Sequence, residues 1–479
     1  MRGLEQPVAA TDFDTLSKDP FHELPLSAAQ WNVHWIFFLR QFWSIAFLYV
    51  FAIYGSDNDP KGLGLTAVFS GWLLTASFIT PLADIHGRLF LYRFCLGFQL
   101  LCLGLICILP FNIFSFMTLC GLLGIGFGPH SSLQTTIWNE AMPARMMNVT
   151  TNIQFGSWGI IVPAILYLWK WLRYSLPSMD PWRVAFSSSF VFLLGHLLSS
   201  FLLSPSVPWL ISQGKIDEAE KSCKNIFGQK QSCDRSALWH YLRENAAPKD
   251  NAKDSAAGAG YRKQTSLKSI LRTLSGPDLR YTVIVGTIQF ASCGLSYWGQ
   301  SLQLRKFLPS SSENPEFFLS MMAIVEIPSS FLSWYLPRKM NFLRSLVFMF
   351  VCQGIATLCL LGPLSLAYPA LFLVRLVSSV LYNQVWMMSS MAFKVEIRGT
   401  GSGLLVNMGR AGSLCAPFLG FMESNHVIWL CALLAFTSAI CCVGFVSNDH
   451  FMKRSSEMML SDDDDDGGDG LGEAEGGGV

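Results

Sequence analysis

Charge is scarce in this sequence. Only 14% of its 479 residues are Asp, Glu, Lys or Arg, against roughly 25% in soluble domains. Hydrophobic residues make up 51%, and a soluble core cannot hide that much apolar surface, whereas a bilayer solvates it. Other absences narrow the field. The 13 cysteines show no Cys-x-x-Cys pair and no Cys/His ligand spacing, so neither a disulfide framework nor a zinc site is expected. Most of them lie in apolar runs as small hydrophobes; Cys223 and Cys233 stand in a polar middle stretch assigned to the reducing cytosol. No basic stripe interleaves with aromatics, which sets nucleic acid aside. No nucleotide-binding motif, nucleophile–base pair or metal cluster stands out, so no cofactor, no metal and no enzyme activity are expected. The first 30 residues lack a charged-then-apolar leader, and the first apolar run is expected to serve as the insertion signal.

What is present is a series of apolar runs of about 20 residues, each long enough to cross a bilayer as a helix. They cover Trp31–Tyr54, Gly62–Leu82, Leu89–Leu109, Ile113–Trp138, Val149–Leu172 and Val184–Leu203. After a polar stretch come Tyr281–Leu302, Phe317–Leu336, Leu343–Leu361, Leu364–Ser390, Leu404–Met422 and Val427–Val446. Pro110 and Gly362 mark tight hairpins. Lys and Arg crowd the 204–280 stretch and recur at Arg88, Arg145, Arg338, Lys339, Arg398, Lys453 and Arg454, which makes that side cytoplasmic. The expected fold is an all-α membrane protein of about twelve spans in two six-helix halves, with its site between the halves. Residues 1–30 form a cytoplasmic N-terminal segment, 31–203 one bundle, 204–280 the cytoplasmic middle loop, 281–446 the second bundle, and 447–479 a cytoplasmic tail. Lys215–Lys224 reads as a short amphipathic helix. The tail from Ser461 is acidic and Gly-rich; it cannot bury a core and is read as a solvated segment or as the binding site of a cytoplasmic partner. Asn148-Val-Thr150 matches a glycosylation sequon on the cytoplasmic side, where it would go unused.

Several local stretches, in order, resemble the organic cation, anion and carnitine transporters of the major facilitator superfamily. Trp209–Glu220 (WLISQGKIDEAE) matches the stretch after the sixth span, and Asp180-Pro-Trp-Arg183 the opening of that span. Tyr297-Trp298-Gly299, Glu326-Ile-Pro328 with Tyr335-Leu-Pro-Arg-Lys339, Arg398-Gly-Thr-Gly401 and Arg410–Phe418 match pieces of spans seven, eight and eleven. The likeness covers nearly all of residues 62–446. It implies a major facilitator fold and the movement of a small organic solute by alternating access.

The departures are specific. Between spans two and three the family's Gly-x-x-x-Asp-Arg-x-Gly-Arg-Arg is reduced to Asp84, Gly87 and Arg88 within Thr80–Leu89. The resemblance implies that Asp84 caps a helix end and pairs with an Arg of the other half to close the cytoplasmic gate, more weakly than usual. The counterpart after span eight (Pro337–Asn341) holds neither Asp nor Gly. Cys120 stands for a usual Arg, Met391 for a usual acid, and the large extracellular loop shrinks to Gly55–Lys61. Glu140 with Arg145 fits the gate network, as do Arg338 and Arg398.

Charge at membrane depth costs about 2.5–3.5 kcal/mol on insertion scales, so each such residue is a site candidate. Arg410, between Gly409 and Gly412, is placed to bind a carboxylate or to pair with an acid such as Glu326. Glu326 lies just before Pro328, which interrupts the helical ladder; it is available to balance Arg410, to meet a cationic group or to carry a coupling proton. Arg375 occupies a position that is often basic in carnitine-type members. Arg40 faces the cavity or a neutralising partner. Tyr297, Trp298, Gln289, Asn383 and Trp386 either line the cavity or pack as ordinary helix residues, while His34, His130 and His196 read as hydrogen-bonded structural groups. Gly121, Gly124, Gly126 and Gly128 read as a close-packing helix face. The expectation is a secondary transporter of an organic anion or carnitine-like zwitterion in the plasma membrane. The alternative is a transporter-like receptor or scaffold that no longer transports, and restoring Met391→Glu and Cys120→Arg separates the two: only a working transporter changes its rate.

Overall fold

A computed structural model of the chain describes residues 30–40, 42–44, 48, 63–110, 112–141, 151–213, 215–227, 274–307, 315–393 and 395–442. The acidic tail, the N-terminal segment, most of the middle loop, Arg145, the sequon and the short loop after the first span lie outside the described residues. Every regular element among the described residues is helical. Eight of these helices are long and apolar enough to cross a membrane.

The first span is helical over 30–40 and 42–44. The next five follow as Leu63–His86, Arg88–Ile108, Ile113–Ala141, Trp158–Ser175 and Pro181–Ser200. The second group comprises Pro277–Phe307, the pair Pro315–Ile324 and Glu326–Met340, Phe342–Leu358, Leu364–Met391, Val395–Cys415 and Ser424–Cys441. Their outward faces carry large apolar side chains in the open, among them Phe90, Ile160, Val191, Leu433 and Ile440. Such a belt is intolerable in water and suits hydrocarbon.

The eighth span breaks where its proline leads one to expect, while the eleventh span and the stretch after span six depart from the sequence reading. The eighth span breaks at Val325, between Ile324 and Glu326. Pro328 has no N–H to donate to the carbonyl four residues back, so the ladder fails there. The eleventh span starts at Val395 rather than Leu404, so Arg398–Gly401 belongs to its first turns and not to a loop. It ends by tightening into a 3₁₀ stretch, Ala416–Phe421, where Pro417 interrupts the α pattern. Finally, the stretch after span six holds a short helix of its own around Trp209, Val207–Ser212, whose start is capped by the Ser206 hydroxyl accepting from the Trp209 amide. The amphipathic helix beyond it runs Ile216–Phe227. Its apolar side (Ala219, Cys223, Ile226) packs on Trp209, Leu210 and Ile211.

Small residues set the helix contacts. A Cβ at Gly71 would collide with the Gly121 carbonyl, and one at Gly124 with the Val68 carbonyl. Spans two and four therefore touch backbone to backbone, with the Thr75 hydroxyl donating across to the Ile125 carbonyl at 3.0 Å. In the second half Gly294 meets Gly409, and Gly412 meets Ala291, in the same way. The two halves also meet each other. Asn407 Nδ2 donates to the Leu73 carbonyl at 2.6 Å, Phe69 lies edge-on to Trp298, and Gly159 admits Ile327.

Candidate functional site

Span ten presents a polar stripe at helical spacing, Arg375, Ser379 and Asn383, with Tyr382 and Trp386 beside it. Arg375 is 2% exposed. Its Nη2 donates to Glu326 Oε1 at 2.7 Å, and its guanidinium lies 3.8 Å over the Tyr297 ring. The same Glu326 oxygen accepts from the Tyr297 hydroxyl at 2.8 Å and from Ser379 Oγ at 2.9 Å. Glu326 is thus paired and hydrogen-bonded within the second half, the condition under which a buried charge is tolerated. This corrects one of the sequence alternatives: the partner of Glu326 is Arg375, not Arg410.

Arg410 meets a different environment. Its guanidinium stacks 3.6 Å from the centroid of Trp72 on span two, and Nη2 donates to the Tyr382 hydroxyl at 3.1 Å. Tyr382 in turn stacks on Tyr297 at 4.8 Å between centroids. Arg410 therefore bridges the halves over an aromatic face, a favourable arrangement for a desolvated cation. Arg40 lies beside the Phe127 ring and within electrostatic reach of Arg410, Tyr92 and Tyr382. Among the described residues neither Arg40 nor Arg410 has a carboxylate partner. Phe127 also contacts Trp72 and Trp43, so the two guanidiniums share one aromatic wall.

The remaining candidates take other positions. Asn383 Nδ2 reaches Ser330 Oγ at 3.5 Å, and Ser330 is pressed against Gly156 of span five. Trp386 packs among Phe155, Phe290 and Tyr382. Gln289 donates to Cys442 at 2.9 Å, tying span seven to the end of span twelve. His196 Nε2 and the Tyr92 hydroxyl lie 2.6 Å apart, His34 packs on Trp138, and the His130 ring lies tilted against Tyr92 with its centroid 4.8 Å away. Trp72, Tyr382 and Ser379 were missed in the sequence. Ser379 had a signal, since it falls four residues from Arg375 on one helical face; Trp72 had none.

A second cluster closes the end where spans two and three meet. Arg88 donates to Asp84 at 3.2 Å and contacts Glu140 of span four. Asp84 Oδ2 accepts from the amide and hydroxyl of Thr400 in the other half, at 3.1 and 2.9 Å. Among the described residues the cross-half partner of Asp84 is thus Thr400, not an Arg; the Arg398 side chain lies outside the description. Glu140 accepts from Ser206 at 2.5 Å, and Trp209 Nε1 donates to the Asp84 carbonyl at 3.1 Å. Gly87 turns the chain at φ 109°, with the Trp209 ring directly over it. Arg338, in the corresponding position of the second half, stacks 4.0 Å over Trp334.

No protein-family model matches the chain. Among curated proteins it is similar to solute carrier family 22 member 21 of Mus musculus, 24% identical over 227 residues, covering 46% of this chain and 38% of that one. It is also similar to organic cation/carnitine transporter 2 of Mus musculus, 22% identical over 378 residues, covering 76% and 62%. The chain thus spans about a third to two thirds of the length of the curated relatives it matches. Among solved structures, the proton:xylose symporter XylE bound to 6-bromo-6-deoxy-D-glucose superimposes with a TM-score of 0.68 at 14% identity, covering 88% of this chain and 97% of that one. The chain is a divergent relative of the organic cation, anion and carnitine transporters, a multi-pass membrane protein with the major facilitator fold. These relatives are carriers, none of them an enzyme.

Proposed function

We propose that this divergent organic-ion-transporter relative is itself a secondary transporter, carrying a small organic anion by alternating access of its two halves. One observation carries the reading. Glu326 is neutralised by Arg375, whereas Arg410 and Arg40 stand without carboxylates among the described residues. A carboxylate between them would replace their lost water with charge-assisted hydrogen bonds. The organic part would lie against Trp72 and Tyr382. A carnitine-like zwitterion fits less well, because the acid that would meet its cation is already engaged by Tyr297, Arg375 and Ser379. The site would open to each side in turn as the halves rock, with both termini cytoplasmic and the plasma membrane as its location.

Purified protein in liposomes, loaded with an aromatic carboxylate, carnitine or tetraethylammonium, tests the proposal. Carboxylate counterflow is expected, at a rate that falls at least tenfold in Arg410→Ala, while tetraethylammonium stays outside. Transport of the cation alone, or carboxylate flux indifferent to Arg410→Ala, would remove Arg410 from the site. No flux of any probe would favour the receptor or scaffold reading, which the substitutions at Cys120 and Met391 keep in play.

A further inference from the structure

A cavity of about 580 Å³ opens beside the Asp84 cluster, between the start of span three and the end of span six. Its lining includes Gly87, Arg88, Arg93, Phe94, Trp209 and Lys215. Phe90 and Phe94 are 66% and 62% exposed, and Phe201 62%. They lie within two turns of the helix ends, so at a rise of about 1.5 Å per residue they sit where acyl chains meet headgroups.

The charges in this cavity differ in how they are balanced. Arg88 is matched by Asp84 and Glu140. Arg93 is not matched by any carboxylate among the described residues. It donates to the Ser200 carbonyl at 2.9 Å and the Leu203 carbonyl at 3.2 Å, and its guanidinium lies 4.8 Å over Phe201. Lys215 approaches the Trp209 ring at 5.9 Å; its acidic neighbour, Glu218 at 3.4 Å, is itself well exposed. A half-buried guanidinium and an ammonium thus line a pocket that also carries the exposed rings of Phe90, Phe94 and Phe201. The cavity is within the size range of small-ligand sites.

We infer that this cavity binds the headgroup of an anionic phospholipid of the cytoplasmic leaflet, with Arg93 and Lys215 on its charge and its chains along Phe90, Phe94 and Phe201. The location follows from the Lys and Arg bias of this side, and that leaflet is the anionic one. A phosphatidylcholine headgroup is neutral overall, its trimethylammonium cancelling its phosphate, whereas an anionic headgroup keeps a net negative charge for Arg93 and Lys215. Because Trp209 lines the cavity and donates to the Asp84 carbonyl, a lipid seated here holds the cluster that joins the two halves. The site is independent of what the protein carries.

Native mass spectrometry of the purified full chain, offered phosphatidylserine, phosphatidylcholine or inorganic phosphate, reads the inference directly. Phosphatidylserine adducts are expected at least fivefold above phosphatidylcholine, and should drop to the phosphatidylcholine level in Lys215→Glu and in Arg93→Gln/Lys215→Gln. Arg93 also ties down span six, so Lys215→Glu alone decides the matter if the double variant does not fold. Equal retention of both lipids, or phosphatidylserine binding unchanged in Lys215→Glu, overturns the inference. So does inorganic phosphate protecting against thermal unfolding as well as the lipid does, since that marks a simple anion site.

Discussion

The turn between spans two and three and the turn between spans eight and nine occupy matching places in the two halves, yet they are held together differently. In the first, Asp84, Arg88 and Glu140 form a buried charge cluster around Gly87. In the second there is no acid between Pro337 and Asn341, and Arg338 rests on Trp334 instead. The backbones agree where the side chains do not. Gly87 has φ 109°, and Asn341 has φ 70°; among the described residues these are the two positive values. Asn341 compensates for its strained backbone by accepting from the Leu343 amide at 3.1 Å. Turn geometry has therefore been kept in both halves, and the electrostatic cluster in one.

Substitutions can widen or close that difference. Arg88→Ala strands two buried carboxylates and should destabilise by about 3–5 kcal/mol, read as a lowered melting midpoint in detergent. A cost near zero would mean the first turn needs its charges no more than the second does. Gly87→Ala forces a side chain into a positive-φ position beneath Trp209, costing about 1–3 kcal/mol. Trp334→Leu removes the ring under Arg338 and should cost about 1 kcal/mol or less; a loss as large as that of Arg88→Ala would erase the contrast. Smallest is Asn341→Gly, where relief of strain offsets the lost cap, for a net change within about 0.5 kcal/mol. Asn341→Ala, which keeps the strain and loses the cap, should be distinctly worse.

Helix number and order were legible because apolar length is a property of the sequence alone. So was the interruption of span eight, since Pro328 fixes which hydrogen bond is missing. Pairings between helices were not. Glu326 could have met Arg410 or Arg375, and the choice depends on how spans eight, ten and eleven are rotated about their axes. Asp84 was readable as a gate residue, but its acceptance from Thr400 was not, because a threonine carries no signature of such a role. The Val207–Ser212 helix, at six residues, is too short for periodicity to reveal.

Asp84 divides its two oxygens in a telling way. One stays with Arg88 in its own half; among the described residues the other takes the neutral amide and hydroxyl of Thr400 across the parting line. Pulling the halves apart at Asp84 therefore separates a carboxylate from dipoles and leaves the ion pair intact. The toll for release at this point is two hydrogen bonds, each about 1.5–3 kcal/mol for a charged partner, rather than a bare buried charge. A clasp of this kind should be quick to undo and remake, and nearly indifferent to ionic strength.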